Sequence, residues 1–206
     1  MRRLLSIVAA SMISVLLATS TVLASGHEDA TGVRQLQPYF VKENLDLGIY
    51  DKVLIDSLKV RDAKIVPPPW VEGKDRSPKK WGLTKKDEEF LRESYRAALK
   101  QEIAEKGGYK VVTDPGEGVL ILDVSIITLT PYARKNETVL VKGFGEMLTQ
   151  AQLRDGMTGE LLAVFEGVQE VGSEYQLNSR LNAETNLRDL FEVWGARVRG
   201  MLDRNR

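Results

Sequence analysis

The stretch Val119–Pro131, "VLILDVSIITLTP", decides how this chain folds. Leu120, Leu122, Val124 and Ile126 recur at every second position, while Asp123 and Ser125 fall between them. A period of two places the four apolar side chains on one face of an extended strand and the polar ones on the other. The strand is entered through "TDPGEG", a turn by composition, from the short apolar run "YKVV". Beyond it, "TVLVKGFG" suits a short edge strand. In "EMLTQAQLRD" Met147, Thr149, Ala151 and Leu153 alternate with Leu148, Gln150, Gln152 and Arg154, and "ELLAVFEGVQEV" reads as a further strand. Upstream, Lys52–Val60, "KVLIDSLKV", is rich in branched residues and adds one more.

Two segments change the period. Thr84 with Asp87 resembles a capping box, and Leu91, Tyr95, Ala98, Leu99 and Ile103 follow at helical spacing until Gly107-Gly108. Near the end, Leu187, Leu190, Phe191, Trp194, Val198, Met201 and Leu202 form a second helical stripe. The expected order is therefore β-α-β-β-(β)-β-β-α. Short turns between the later strands imply antiparallel neighbours. Two one-sided helices and one sheet with an apolar face imply a single two-layer α+β domain, mostly antiparallel, with both helices on one face.

The N-terminus, "MRRLLSIVAASMISVLLATSTVLASGHEDA", has the three parts of a secretory signal: Arg2 and Arg3, an apolar stretch from Leu4 to Leu17, and Val22 and Ala24 before a cut at Ser25. Residues 1–24 read as a signal peptide, 25–44 as a flexible lead-in and 45–206 as the domain. The expected location is the periplasm, with peripheral contact to the outer membrane left open. The remaining 182 residues carry 27 basic and 29 acidic side chains, a balance unsuited to a nucleic-acid protein. With no cysteine in the chain, disulfides, thiol nucleophiles and a lipidated N-terminal cysteine are excluded.

The most catalytic-looking stretch is "RDGMTGELLAVFEG", Arg154–Gly167. A phosphate loop needs Lys-Ser/Thr after its last glycine and a helix to follow; here Glu160 and a strand pattern follow. A hairpin turn accounts for each residue, with Asp155 and Thr158 bonding nearby amides and the glycines taking positive φ. His27, the one imidazole, lies just past the cut, which excludes histidine-based triads. Gly143-Phe144-Gly145 lacks the third glycine of a dinucleotide fingerprint. Asp56, Asp123, Glu146 and Glu170 are the acids whose convergence would make a carboxylate hydrolase. No catalytic, cofactor-binding or metal-binding residue is assigned, and no cofactor is expected.

Pro67, Pro68 and Pro69 stiffen a charged loop flanked by Trp70 and Trp81, the candidate partner-binding loop. The competing reading has both indoles folded back over an edge of the core. The functional expectation is a non-catalytic envelope protein that binds another envelope protein and assists assembly. The alternative is a module for a small ligand or glycan, using either tryptophan or the sheet's open face.

Four stretches, "YDKVLIDSLKV", "DPGEGVLILDVSIITLTP", "AQLRDGMTGELLAVF" and "LFEVWGARVRGMLD", together resemble the bacterial family known as domain of unknown function 3313. The resemblance implies an exported protein, in a family often lipid-anchored and without an established activity. It transfers no catalytic residue. The missing cysteine departs from the lipid-anchored pattern.

Overall fold

The computed structural model describes residues 33–135 and 137–205. The expected signal peptide, residues 1–24, and the whole of residues 25–32, with His27, lie outside these residues. The strands are β1 (Gln37–Val41), β2 (Lys52–Ile55), β3 (Lys64–Ile65), β4 (Lys110–Val112), β5 (Val119–Pro131), β6 (Leu140–Lys142), β7 (Gly145–Asp155), β8 (Leu161–Glu170) and β9 (Tyr175–Leu177). The helices are α1 (Lys85–Lys100) and α2 (Arg180–Asp203). The path β1-β8-β7-β5-β2-β4 forms the main sheet, with β3 paired to β5, while β6 and β9 make a separate two-stranded ribbon.

The domain is α+β, as the alternation and the helical stripes imply. β5, the longest strand, buries Leu120, Leu122, Val124 and Ile126. Its long antiparallel pairing with β7 sets Leu122 against Leu153 and Val124 against Ala151. Both helices lie on this face: Leu91, Tyr95, Ala98 and Leu99 of α1 and Leu190, Phe191 and Trp194 of α2 join the strands in one core. Phe191 stands at the middle, with its ring 5.8 Å from Tyr95 and 5.2 Å from Trp194, both edge-on.

Helix α1 starts where its capping box is read: the Thr84 hydroxyl accepts from the Asp87 amide, and the Asp87 carboxylate accepts from the Thr84 amide. After Lys100 the helix widens into a π turn, Gln101–Lys106, which buries Glu102. There the helices come close. A Cβ on Gly195 would stand 2.9 Å from the Glu102 Cβ, so glycine is what allows this approach.

Three features differ from expectation. The pairings of β2 with β4 and with β5 are parallel, so the sheet is mixed although mostly antiparallel. The cause is the helical crossover: β2 and β4 are joined through α1, and such a connection returns the chain in the same direction. Secondly, β1 lies inside the stretch 25–44 expected as a flexible lead-in, and it pairs antiparallel with β8. All five of its residues are exposed, so backbone bonds hold it without any apolar period to mark it. Thirdly, the "TVLVKGFG" strand pairs only with β9 and leaves the main sheet.

Candidate functional site: a cavity beneath helix α2

The helices do not cover the whole inner face of the sheet. Between α2 and the β7–β8 side lies an open cavity of about 760 Å³. Leu122 and Val124 of β5, Ala151 and Leu153 of β7 and Phe165 of β8 contribute its sheet side. From the helices come Tyr95 and Leu99 of α1 and Trp194, Val198 and Met201 of α2. Gln35 and Leu36, on the chain entering β1, form the lip. The space exists because small residues sit where larger ones would fill it, namely Ala151 on the strand and Ala196 and Gly200 on the helix.

Polar groups hold the rim in place. The Trp194 indole N–H donates to Gln169 Oε1 at 2.9 Å, and the Gln169 amide donates to the carbonyls of Arg34 and Val168. Arg197 donates to the carbonyls of Val33 and Arg34, fastening the entering chain to α2. Glu102 is buried with one oxygen ion-paired to Lys106 and the other 3.3 Å from Arg199, without hydrogen-bond geometry. Tyr95 is fully buried, and its hydroxyl has no hydrogen-bond partner among the described residues. Burial, with lesser contributions from Asp123 and Asp56, pushes its pKa well above the ordinary phenol range. The sheet side of the cavity is therefore apolar, and the charged residues of its lining, Glu102, Asp189, Glu192, Arg197 and Arg204, come from the helical side.

The loop expected to meet a partner divides in two. Trp70 is 62% exposed and packs on Tyr132, ring centres 5.5 Å apart; Pro69 is exposed, Pro67 half-buried and Pro68 buried. Trp81 does not join that surface: it is 6% exposed, and its indole N–H donates to the Asp75 carbonyl at 2.7 Å. Turning inward covers the large apolar ring and still satisfies its one donor. Asp75 also bridges Lys80 at 2.7 Å and Arg134 at 3.2 Å, which fixes the loop, and Lys80 foremost holds its carboxyl below the usual range.

The four acids separate into two pairs, away from the cavity. Lys59 sits between Asp123 at 2.5 Å and Asp56 at 3.9 Å. Glu146 and Glu170 face each other across β7 and β8, with the Tyr132 hydroxyl 3.4 Å from the first and Arg34 3.4 Å from the second. The sheet's open face carries a hydrogen-bonded row, Arg154 to Gln152 to Gln150 to Glu166. Among the described residues no cluster of three metal-ligating side chains occurs, and no helix is long and apolar enough to cross a membrane.

The stretch that resembled a phosphate loop is a hairpin turn between β7 and β8. Asp155 Oδ1 accepts from the amides of Met157 and Thr158 and from the Thr158 hydroxyl, and Gly159 has φ 73°. Tyr50 donates its hydroxyl to the other carboxylate oxygen at 2.9 Å. These bonds, the Thr158 amide foremost, hold the Asp155 carboxyl below its ordinary pKa.

The sequence reading had no candidate at the cavity. Its lining comes from five elements distant in sequence, and the available signal was only the small residues Ala151, Ala196 and Gly200 among larger apolar ones.

Comparison with known proteins adds the family. No curated protein matches the sequence. Among solved structures, an uncharacterised protein is 15% identical with a TM-score of 0.41, over 76% of this chain and 95% of its own. A Xanthomonas campestris protein of the DUF330 family is 9% identical, TM-score 0.39, over 81% and 94%. The PelC dodecamer of Paraburkholderia phytofirmans is 14% identical, TM-score 0.29, over 80% and 94%. Likenesses this distant carry no argument about activity or assembly. The model of the family described as "Protein of unknown function (DUF3313)" matches residues 25–198, and the chain belongs to that family.

Proposed function

We propose that this protein is an exported, non-catalytic binding module of the cell envelope, and that the cavity beneath α2 takes an apolar small molecule or chain. The cavity carries the reading. Its volume of about 760 Å³ lies within the range of small-molecule sites, and its lining is mostly apolar with few polar groups, the usual pattern of such sites. An apolar ligand there would remove exposed surface of Phe165, Val198 and Met201, all half-buried, from water, the main favourable term in such binding. Export rests on the tripartite N-terminal sequence.

A neutral naphthylamine fluorophore, which brightens in apolar surroundings, tests this directly. Saturable enhancement with the purified protein, abolished in Ala151→Phe, is the expected result; no saturable enhancement with folded protein would end the reading. N-terminal sequencing of protein recovered from the envelope should begin at Ser25.

A second reading, contact with another envelope protein, is favoured by Trp70 standing exposed on a proline-stiffened loop against Tyr132. Crosslinking in intact cells should then trap one partner through position 70, and a trap lost in Trp70→Ala would place it there.

A further inference from the structure

The two ends of the cavity differ in charge, and we infer that its ligand is a single-chain anionic amphiphile whose head lies at Arg204. This rests on the apolar-ligand reading above and adds the ligand's chemical class.

The lining residues of α2 run from Asp189 to Arg204, a distance of roughly 22 Å at 1.5 Å per residue. A single extended chain can run along that length.

Charge then orients the chain. At one end stand Asp189 and Glu192, and neither forms an ion pair among the described residues. These carboxylates repel an anionic head. At the other end is Arg204, whose backbone N–H donates to the Leu202 carbonyl and whose side chain has no hydrogen bond or ion pair among the described residues. Its Nη1 lies 3.7 Å from where a Cβ on Gly200 would stand, so the guanidinium folds back one turn along α2, beside another lining residue. The helix C-terminus contributes about half a negative charge, which one guanidinium more than offsets. A guanidinium presents a planar fork that matches a carboxylate with two parallel hydrogen bonds. Between the two ends the lining is apolar except for Gln35, the Tyr95 phenol, Glu102 and Arg197. The ligand class that meets all of this is a long-chain carboxylate.

The test uses the chain from Ser25 onward with two fluorescent polyene probes, a long-chain polyene fatty acid and its methyl ester, titrated at low salt. The acid should bind on the order of tenfold more tightly than the ester. Arg204→Gln should erase that difference while leaving ester affinity unchanged, whereas Arg188→Gln should leave both unchanged. Equal binding of acid and ester to the wild type would overturn the head-group assignment and leave the apolar-ligand reading standing. Failure of both probes to bind would remove both. Tighter binding of a long-chain alkylammonium than of the acid would move the head to Asp189 and Glu192 and overturn the assignment. Probe binding that disappears as protein concentration rises, with a dimer in light scattering, would put a second copy on this face and overturn it too.

Discussion

Trp194 donates its indole N–H to Gln169 Oε1 at 2.9 Å, and both side chains are buried. With the Gln169 amide bonded to Arg34 and Val168, one side chain connects α2, β8 and the chain entering β1. Replacing Trp194 by Phe keeps most of the ring packing but strands a buried acceptor. The expected cost is about 1–3 kcal/mol, read as a lower urea midpoint with an unchanged slope.

Gly195 and Gly200 lie on the same helix and should respond oppositely to alanine. A Cβ at Gly195 meets the Glu102 Cβ at 2.9 Å and the Ala98 carbonyl at 3.3 Å, whereas at Gly200 nothing lies nearer than 3.7 Å. Helix propensity favours alanine by about 1 kcal/mol at either position. At Gly195 crowding of about 1–3 kcal/mol opposes that gain. Gly200→Ala should therefore raise the melting temperature and Gly195→Ala should lower it; equal shifts would mean the helices are not in close contact there.

The three tryptophans should separate in solution. Trp70→Ala should change stability by less than about 0.5 kcal/mol, as surface substitutions do. Trp81→Ala should cost about 3 kcal/mol, because a buried ring and a satisfied N–H are both lost. Acrylamide should quench the emission of Trp70 far more than that of Trp81 or Trp194.

Asp155 contributes an acid-sensitive share of stability. Its carboxyl titrates lower in the folded protein than in the unfolded chain, so the contribution is complete above the unfolded value near 4. It is lost as pH falls through the lower folded value. Asp155→Asn should weaken the turn at neutral pH and flatten the decline in melting temperature below about pH 4. An unchanged acid limb in the variant would contradict this assignment.

Filling the cavity should stabilise the unliganded protein. Ala151→Leu adds apolar surface to a space that is already open, for a gain of about 1 kcal/mol. The same change should weaken binding of the apolar fluorophore.

What the sequence determined by itself was the repeating part of the molecule. β5 was legible because its side chains see the core and solvent alternately, α1 because its capping box and apolar spacing agree, and the Asp155 turn because its bonds are local. β1 was hidden, since an edge strand exposed along its whole length leaves no period. The parallel placement of β2 follows from the crossover through α1, a connection between elements and not a pattern in its own residues.

The tertiary structure alone decided the candidate site. Trp70 and Trp81 look equivalent in the chain, yet one indole found a carbonyl and a place under the loop while the other stayed outside. The cavity arises from where α2 lies relative to β8, held by Trp194 on Gln169 and by Arg197 on the entering chain. Those contacts join residues far apart in sequence. A cavity also has no residues of its own, so only the packing of five separated elements could reveal it.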